Sequence, residues 1–191
     1  MDLSTTNEAG AVYNTYLNNF MNQDGSVNWL PVCADAHGFV VNKDLFEKYD
    51  IPLPTDYESF VSACQAFDEV GIRGFTADYY YDYTCMETLQ GLSASELSSV
   101  YGRKWRTTYS DPDNTKREGL DSTIWPEAFE RMEQFIQDTG LNKDDLNMDY
   151  DNVMEMYKSG KLAMYFGSSS GVKIFQDQGI DTTFLPFFQE N

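Results

Sequence analysis

Residues 29–60 read WLPVCADAHGFVVNKDLFEKYDIPLPTDYESF, and this stretch decides the fold. Trp29, Leu30, Pro31 and Val32 form an apolar strand entry. A small-residue turn carrying Asp35 and His37 follows, then strand-like Gly38–Val41. After Asn42 and Lys43, Asp44–Tyr49 reads as a short helix. Pro52 and Pro54 stop it, because proline removes a donor and disfavours helix in the preceding residue. Thr55 and Glu58 have the spacing of a capping box, which would satisfy two orphan backbone donors and start the next helix. That helix carries an apolar stripe of Tyr57, Phe60, Val61, Cys64 and Phe67, and Gly71 ends it as a left-handed cap.

Upstream, Thr5–Phe20 reads as one helix. Thr5 and Glu8 suit a capping box, and Val12, Tyr13, Tyr16, Leu17 and Phe20 follow the 3.6-residue period. Asn22–Gly25 closes it, and Val27–Val32 begins a strand. Downstream, residues 71–84 (GIRGFTADYYYDYT) predict a strand and then a tyrosine-rich loop. Met86–Leu97 reads as helix, and Val100–Gly119 as polar and irregular. Ser122–Thr139 is a further helix with Pro126 near its first turn, apolar residues Phe129, Met132, Phe135 and Ile136, and Gly140 at its end. A shorter helix over Asp149–Ser159 turns Val153, Met156 and Tyr157 inward. Leu162–Phe166 then reads as a buried strand, Ser169–Gln178 as a helix and Thr183–Phe188 as a last strand. Alternating helices and strands predict an α/β fold, a layered sheet flanked by helices.

Composition narrows the function. Thirteen basic against 31 acidic residues give a net charge of −18, which excludes a generic nucleic-acid binder and argues against docking on anionic lipid. Three cysteines, Cys33, Cys64 and Cys85, form neither a disulfide framework nor a C-x-x-C site. No apolar run reaches the ~18 residues of a membrane span, and Met1 does not open a charged-then-apolar leader.

Two blocks carry a resemblance. "DLFEKYDIPLPTDYESF", preceded by a proline-led strand and a hydrophobic strand ending in Asn-Lys, is similar to family 1 of the extracellular solute-binding proteins, the sugar receptors of ABC importers. "YKSGKLAMYFGSSSGVKIFQDQGIDTTFLPFF" (Tyr157–Phe188) resembles that family's G-K-x-A-M strand, its Gly-led turn and helix, and its returning proline-bearing strand. The resemblance implies a periplasmic-binding-protein-like lobe in an incomplete two-lobe architecture. Residues 1–30 would end a first lobe and approach the hinge, 31–186 would form the second lobe, and 187–191 would make the second crossing. It also implies a small-molecule ligand (a sugar or oligosaccharide), ABC transporter membrane subunits as partners of the full-length protein, an extracytoplasmic location, and no cofactor. The chain would then be an internal piece, or one whose export signal has been left off.

Four stretches are candidates for chemistry. In the family pattern, the turn holding Asp35 and His37 faces the interlobe cleft, where a carboxylate accepts hydrogen bonds from sugar hydroxyls. The competing role for Asp35 is capping local backbone donors, and His37 also suits a structural role. In the run Asp78, Tyr79, Tyr80, Tyr81, Asp82, Tyr83, aromatic faces suit stacking on sugar C–H surfaces and the carboxylates suit hydroxyls. Strand alternation would turn only about half of these side chains toward a cleft. Gly167, Ser168, Ser169, Ser170 and Gly171 lie between a strand and a helix. They lack Walker spacing, so the choice is a ligand loop or a serine cap. Residues 142–152 (NKDDLNMDYDN) start like a calcium loop, but Tyr150 and Met156 stand where Gly and Glu are needed. A solvated loop capping the next helix accounts for them better. A two-carboxylate glycoside hydrolase, pairing Asp35 with Asp78 or Asp82, is the enzyme alternative. A tyrosine-rich partner-binding surface is the third reading.

Overall fold

The structure, a computed structural model, describes residues 1–22, 24–109 and 123–188, with the backbone alone at Thr15, Tyr16 and Asn19. The chain divides into two compact units, Met1–Asp35 and Ala36–Asn191. In the first, the expected Thr5–Phe20 helix is broken into α1 (Asn7–Gly10), α2 (Asn14–Leu17) and a 3-10 turn at Asn18–Phe20. The cap is Thr6 and not Thr5: its Oγ1 accepts from Ala9 N at 3.2 Å. Gly10 weakens a helix interior, and a short helix without a buried face does not hold together; Tyr13, on the expected apolar stripe, is 79% exposed. The expected Val27–Val32 strand shrinks to one antiparallel bridge, Met21 with Val27. Residues 28–36 have no regular structure, and Trp29 and Val32 face solvent. Pro31 has no N–H to give to a ladder.

The second unit is built on β1 (His37–Asn42). Asn42 accepts from Leu45 N and caps α3 (Lys43–Lys48). α4 (Tyr57–Glu69) opens on a reciprocal capping box between Asp56 and Ser59, one residue beyond the expected Thr55–Glu58 pair. Both registers fit the sequence; Asp56 prevails because its carboxylate accepts from Ser59 N at 2.8 Å while Ser59 Oγ accepts from Asp56 N. Gly71 (φ 75°) takes the left-handed conformation at the end.

β2 (Arg73–Thr76) leads through the tyrosine run into α5 (Asp82–Leu92), which starts four residues before the expected Met86. α6 (Ala94–Ser98) and α7 (Val100–Tyr109) follow. Val100–Tyr109 is therefore helical where irregular chain was expected, with Ser99 Oγ accepting from Gly102 N; the rest of that stretch, and Ser122, lie outside the described residues. α8 (Trp125–Asp138) buries Trp125, Ala128 and Phe135, leaving the expected core residues Phe129 and Ile136 exposed. Trp125 was missed as the first residue of that stripe; starting from it moves the inward face by one position.

α9 (Tyr150–Lys158), capped by Asp149, buries Val153, Met154 and Tyr157. β3 (Leu162–Ser168), α10 (Ser170–Gln176) and β4 (Thr182–Leu185) complete the unit. The sheet order is β2-β3-β1-β4. β1 runs antiparallel to β3 and β4, and β2 runs parallel to β3. One sheet face carries Phe39, Val41, Phe75, Met164 and Phe166 against Phe60 and Phe67 of α4 and Phe135 of α8. The other carries Val40 and Tyr165 against Tyr157 of α9 and Phe175 of α10. The α/β layered sheet flanked by helices is thus observed.

One carboxylate of the acidic stretch turns into the fold. Asp145 is buried and accepts from Arg73 (2.9 Å), Thr76 Oγ1 (2.6 Å) and Asn142 N (2.8 Å). It clamps the loop after α8 to β2. Among the described residues, no group of three or more His, Cys, Asp or Glu is placed to hold a metal. The described cysteines are free thiols; burial pushes the Cys64 thiol up, out of its reactive range.

Candidate functional site

Adjacent ends of β1 and β3 create the site. His37 opens β1 and pairs in register with Ser168, the last residue of β3. Its ring lies 5.8 Å from Phe166, and Nδ1 is 3.0 Å from Glu87 Oε2 on α5. Beside them is a pocket of about 300 Å3, whose polar wall is His37, Asp78, Tyr83, Glu87 and Tyr150 and whose floor is Tyr165 and Phe166. Gly167, Ser168, Ser170 and Gly171 complete the rim, and Val153, Met154 and Ile174 give an apolar side.

The tyrosine run divides by function. Tyr79 is buried, with its hydroxyl 3.4 Å from Thr88 Oγ1. Tyr80 is exposed and donates its backbone N–H to Met148 O. Tyr81 precedes α5 and stacks on Tyr83 at 5.4 Å, so it supports the ring that lines the pocket. Asp78 accepts from Thr84 Oγ1 at 2.9 Å, which fixes its carboxylate at the start of α5. Partial removal from water, then the Asp78 carboxylate, raises the Tyr83 hydroxyl above the usual phenol value.

The glycine-serine loop serves the tyrosine beneath it. A Cβ on Gly167 would stand 2.5 Å from the Tyr165 ring, and one on Gly171 2.9 Å from its hydroxyl. The two glycines let the backbone cross over a large ring. Ser168 Oγ accepts from Ser170 N at 3.2 Å and lies 2.8 Å from Ser170 Oγ. Ser169 accepts from Ala36 N through its hydroxyl and donates its own N–H to Ala36 O at 2.8 Å, extending the β1–β3 pairing. Ser169 stands at the N-cap position of α10 without a side-chain cap hydrogen bond, and Ser168 Oγ takes the N–H of Ser170, the first helical residue.

Of the residues singled out in the sequence, the pocket brings together His37, Asp78, Tyr83, Gly167 and Ser168. Tyr80, Tyr81, Asp82 and Ser169 lie outside its lining, and Asp35 is exposed in the Met1–Asp35 unit. Of the three carboxylates in the enzyme alternative, Asp35 paired with Asp78 or Asp82, Asp78 lines this pocket and the other two do not. Glu87, Tyr150 and Tyr165 line the pocket and were missed. Glu87 stands one helical turn after Tyr83, within reach of a helix that starts at Asp82; Tyr165 belongs to the core and also lines the pocket.

A family model for bacterial extracellular solute-binding proteins matches residues 3–190. This chain belongs to that family. The location of the family is extracytoplasmic, and no described helix of this chain is long and apolar enough to cross a membrane. A comparison with curated protein sequences returned no match. Solved structures share the fold of this solute-binding chain. A probable secreted solute-binding lipoprotein from Streptomyces coelicolor matches with TM-score 0.74 and 15% identity, over 99% of this chain and 48% of that one. RafE in complex with raffinose matches with TM-score 0.70 and 20% identity, over 100% and 50%. A sugar transporter protein of Bacillus licheniformis in complex with stachyose gives 0.69 and 15%, again over 100% and 50%. The fold is periplasmic-binding-protein-like, and the chain spans about half the length of these structures.

Proposed function

We propose that this chain supplies one wall of a binding cleft for a carbohydrate or similar polar solute. The pocket at the β1 and β3 ends carries the reading. Tyr83, Tyr150 and Tyr165 offer flat apolar faces, while Asp78 and Glu87 offer acceptors for hydroxyls. Neither Lys nor Arg is in its lining, so an anionic solute would meet two carboxylates without a compensating cation. The raffinose and stachyose in two structures of the same fold support the same class of ligand.

On this reading residues 31–186 are a second lobe, 1–30 the end of a first, and 187–191 the return crossing. Asp35, His37, Asp78, Tyr80, Tyr81, Asp82, Tyr83, Gly167, Ser168 and Ser169 are the proposed ligand contacts. His37, Asp78, Tyr83, Gly167 and Ser168 are drawn from the pocket, and the others from the family's pattern of cleft loops. Closure of two lobes around the solute would present the receptor to the membrane subunits of an ABC importer. The full-length protein would work in the periplasm or as a cell-surface lipoprotein.

Amide-shift titration of this chain with a panel of neutral oligosaccharides tests the proposal. Shifts at Gly167, Ser168 and Gly171 are expected, with weak affinity, since a single wall makes only part of the contacts. Binding as tight as ~1 μM, about −8 kcal/mol, would contradict the one-wall reading. Silence at all pocket amides with every sugar would remove the carbohydrate assignment.

A further inference from the structure

We propose that the His37–Glu87 pair is a partition that sets the length of the ligand this surface accepts; the inference rests on the carbohydrate reading above. A second pocket of about 470 Å3 adjoins the first, lined by His37, Glu87, Gln90, Gly91, Ala94, Pro186 and Phe187. The two linings share His37 and Glu87 and no other residue. His37 comes from the β1 end and Glu87 from α5, and their side chains meet at 3.0 Å. Two side chains from opposite walls that touch, and that border both cavities, stand between them.

The lining on each side is tightly packed, and the pair is the exposed element between them. In the first pocket Gly167 and Gly171 are held against the Tyr165 ring. In the second, Phe187 packs so closely on Gly91 that a Cβ there would stand 2.0 Å from its ring, and Phe187 lies 5.6 Å from Phe166. By contrast, the side chains of His37 and Glu87 are 44% and 38% exposed, and a hydrogen bond that wet contributes little to stability. The first pocket alone sits at the lower end of the ~300–1,000 Å3 typical of small-molecule sites, and the joined groove lies well inside that range. Removing either side chain opens the groove to an additional sugar unit.

The test compares raffinose with stachyose, which is one hexose longer, by amide-shift titration of the wild type, H37A, E87A and E87Q. The ratio of stachyose to raffinose affinity is expected to rise at least threefold in H37A and E87A. In E87Q, where a side chain of the same length stays in place, the ratio should keep its wild-type value whatever the absolute affinities do. Equal changes for both sugars in both alanine variants overturn the partition.

A second arm needs no sugar. Glycerol titrated into the wild type should shift Gly171 and Gly91 with separate saturation curves, and in E87A with a shared one. Identical behaviour of the two proteins overturns the partition. If the wild type ignores both sugars and glycerol still separates the proteins, the carbohydrate assignment falls and the partition stands.

Discussion

The two faces of the sheet are covered by different aromatic chemistry. On one, Phe39 stacks on Phe60 at 4.4 Å and meets Phe75 edge-on at 5.6 Å, with Phe135 parallel to Phe60 at 6.1 Å. These rings are at most 1% exposed, and none has an atom that needs a hydrogen bond. On the other, Tyr157 meets Tyr165 edge-on at 5.1 Å and Phe175 at 4.6 Å. Tyrosine brings a hydroxyl, which must find a partner when buried. The Tyr157 hydroxyl is 3.0 Å from Thr182 Oγ1, and Tyr165 sits under the glycine-serine loop beside the pocket. A phenylalanine face can be sealed; a tyrosine face keeps polar neighbours and ends at a cavity.

The largest effect should come from the sealed face. Phe39→Ala removes a ring that contacts both layers of the Phe39–Phe60–Phe75 stack, and the loss is expected to be ~3–5 kcal/mol. Urea denaturation followed by far-UV circular dichroism measures it. A loss below that of any single change on the tyrosine face would invert the contrast between the two sides.

Next in size is Gly167→Ala. Its Cβ would stand 2.5 Å from the Tyr165 ring, and overpacking of this kind costs ~1–3 kcal/mol. Because the clash is with one ring, Tyr165→Val in the same chain should recover part of it. A double-mutant cycle from denaturation midpoints should therefore show coupling. Strict additivity would mean that the loop glycine answers to something other than the tyrosine beneath it.

This dependence of loop on ring also marks the limit of the sequence. Unbroken apolar runs in Gly38–Val41 and Leu162–Phe166 made the central strands legible, because a strand covered on both faces is hydrophobic along its whole length whatever its partner. Helix ends at Gly71 and Gly140 were legible for the same local reason. The capping boxes slipped by one residue at Asp56 and Thr6, since neighbouring polar residues offer equivalent registers. Within the candidate site, Asp78, Tyr83, Gly167 and Ser168 stood out by residue type. Glu87 and Tyr165 did not: Glu87 acts through a contact with His37, 50 residues away, and Tyr165 through the fold of the loop that brings Gly167 and Gly171 over its ring.

Alkaline titration separates the faces further. Burial raises the hydroxyl pKa of Tyr157 and Tyr165, and Asp44 and Asp181 add to the shift at Tyr157. The folded state thus holds the proton more tightly than the unfolded chain, where tyrosine titrates near ~10. Stability is fully present below that value and falls as pH rises above it, by up to ~1.4 kcal/mol per unit for each group. The slope between pH 10 and 11 should flatten in a Tyr157→Phe, Tyr165→Phe double variant. Tyr79, a buried member of the cluster on the phenylalanine face, is raised by the same burial and leaves a residual slope. An unchanged slope would show that these two hydroxyls do not discriminate between folded and unfolded chains.

At neutral pH, Tyr157→Phe alone is the smallest and most selective change. It keeps the ring against Tyr165 and Phe175 and deletes only the oxygen 3.0 Å from Thr182 Oγ1. Thr182 Oγ1 retains a bond to Ile180 O at 3.2 Å, so no donor is stranded, and the expected loss is ~0.5–1.5 kcal/mol. Thr182→Val, which replaces the hydroxyl on the other side, should then cost little more in the Tyr157→Phe background than that Ile180 bond is worth. A large independent cost for Thr182→Val would assign the stability of β4 to the Thr182–Ile180 turn. The tyrosine would then be a ring with an incidental oxygen, no different in kind from the phenylalanines across the sheet.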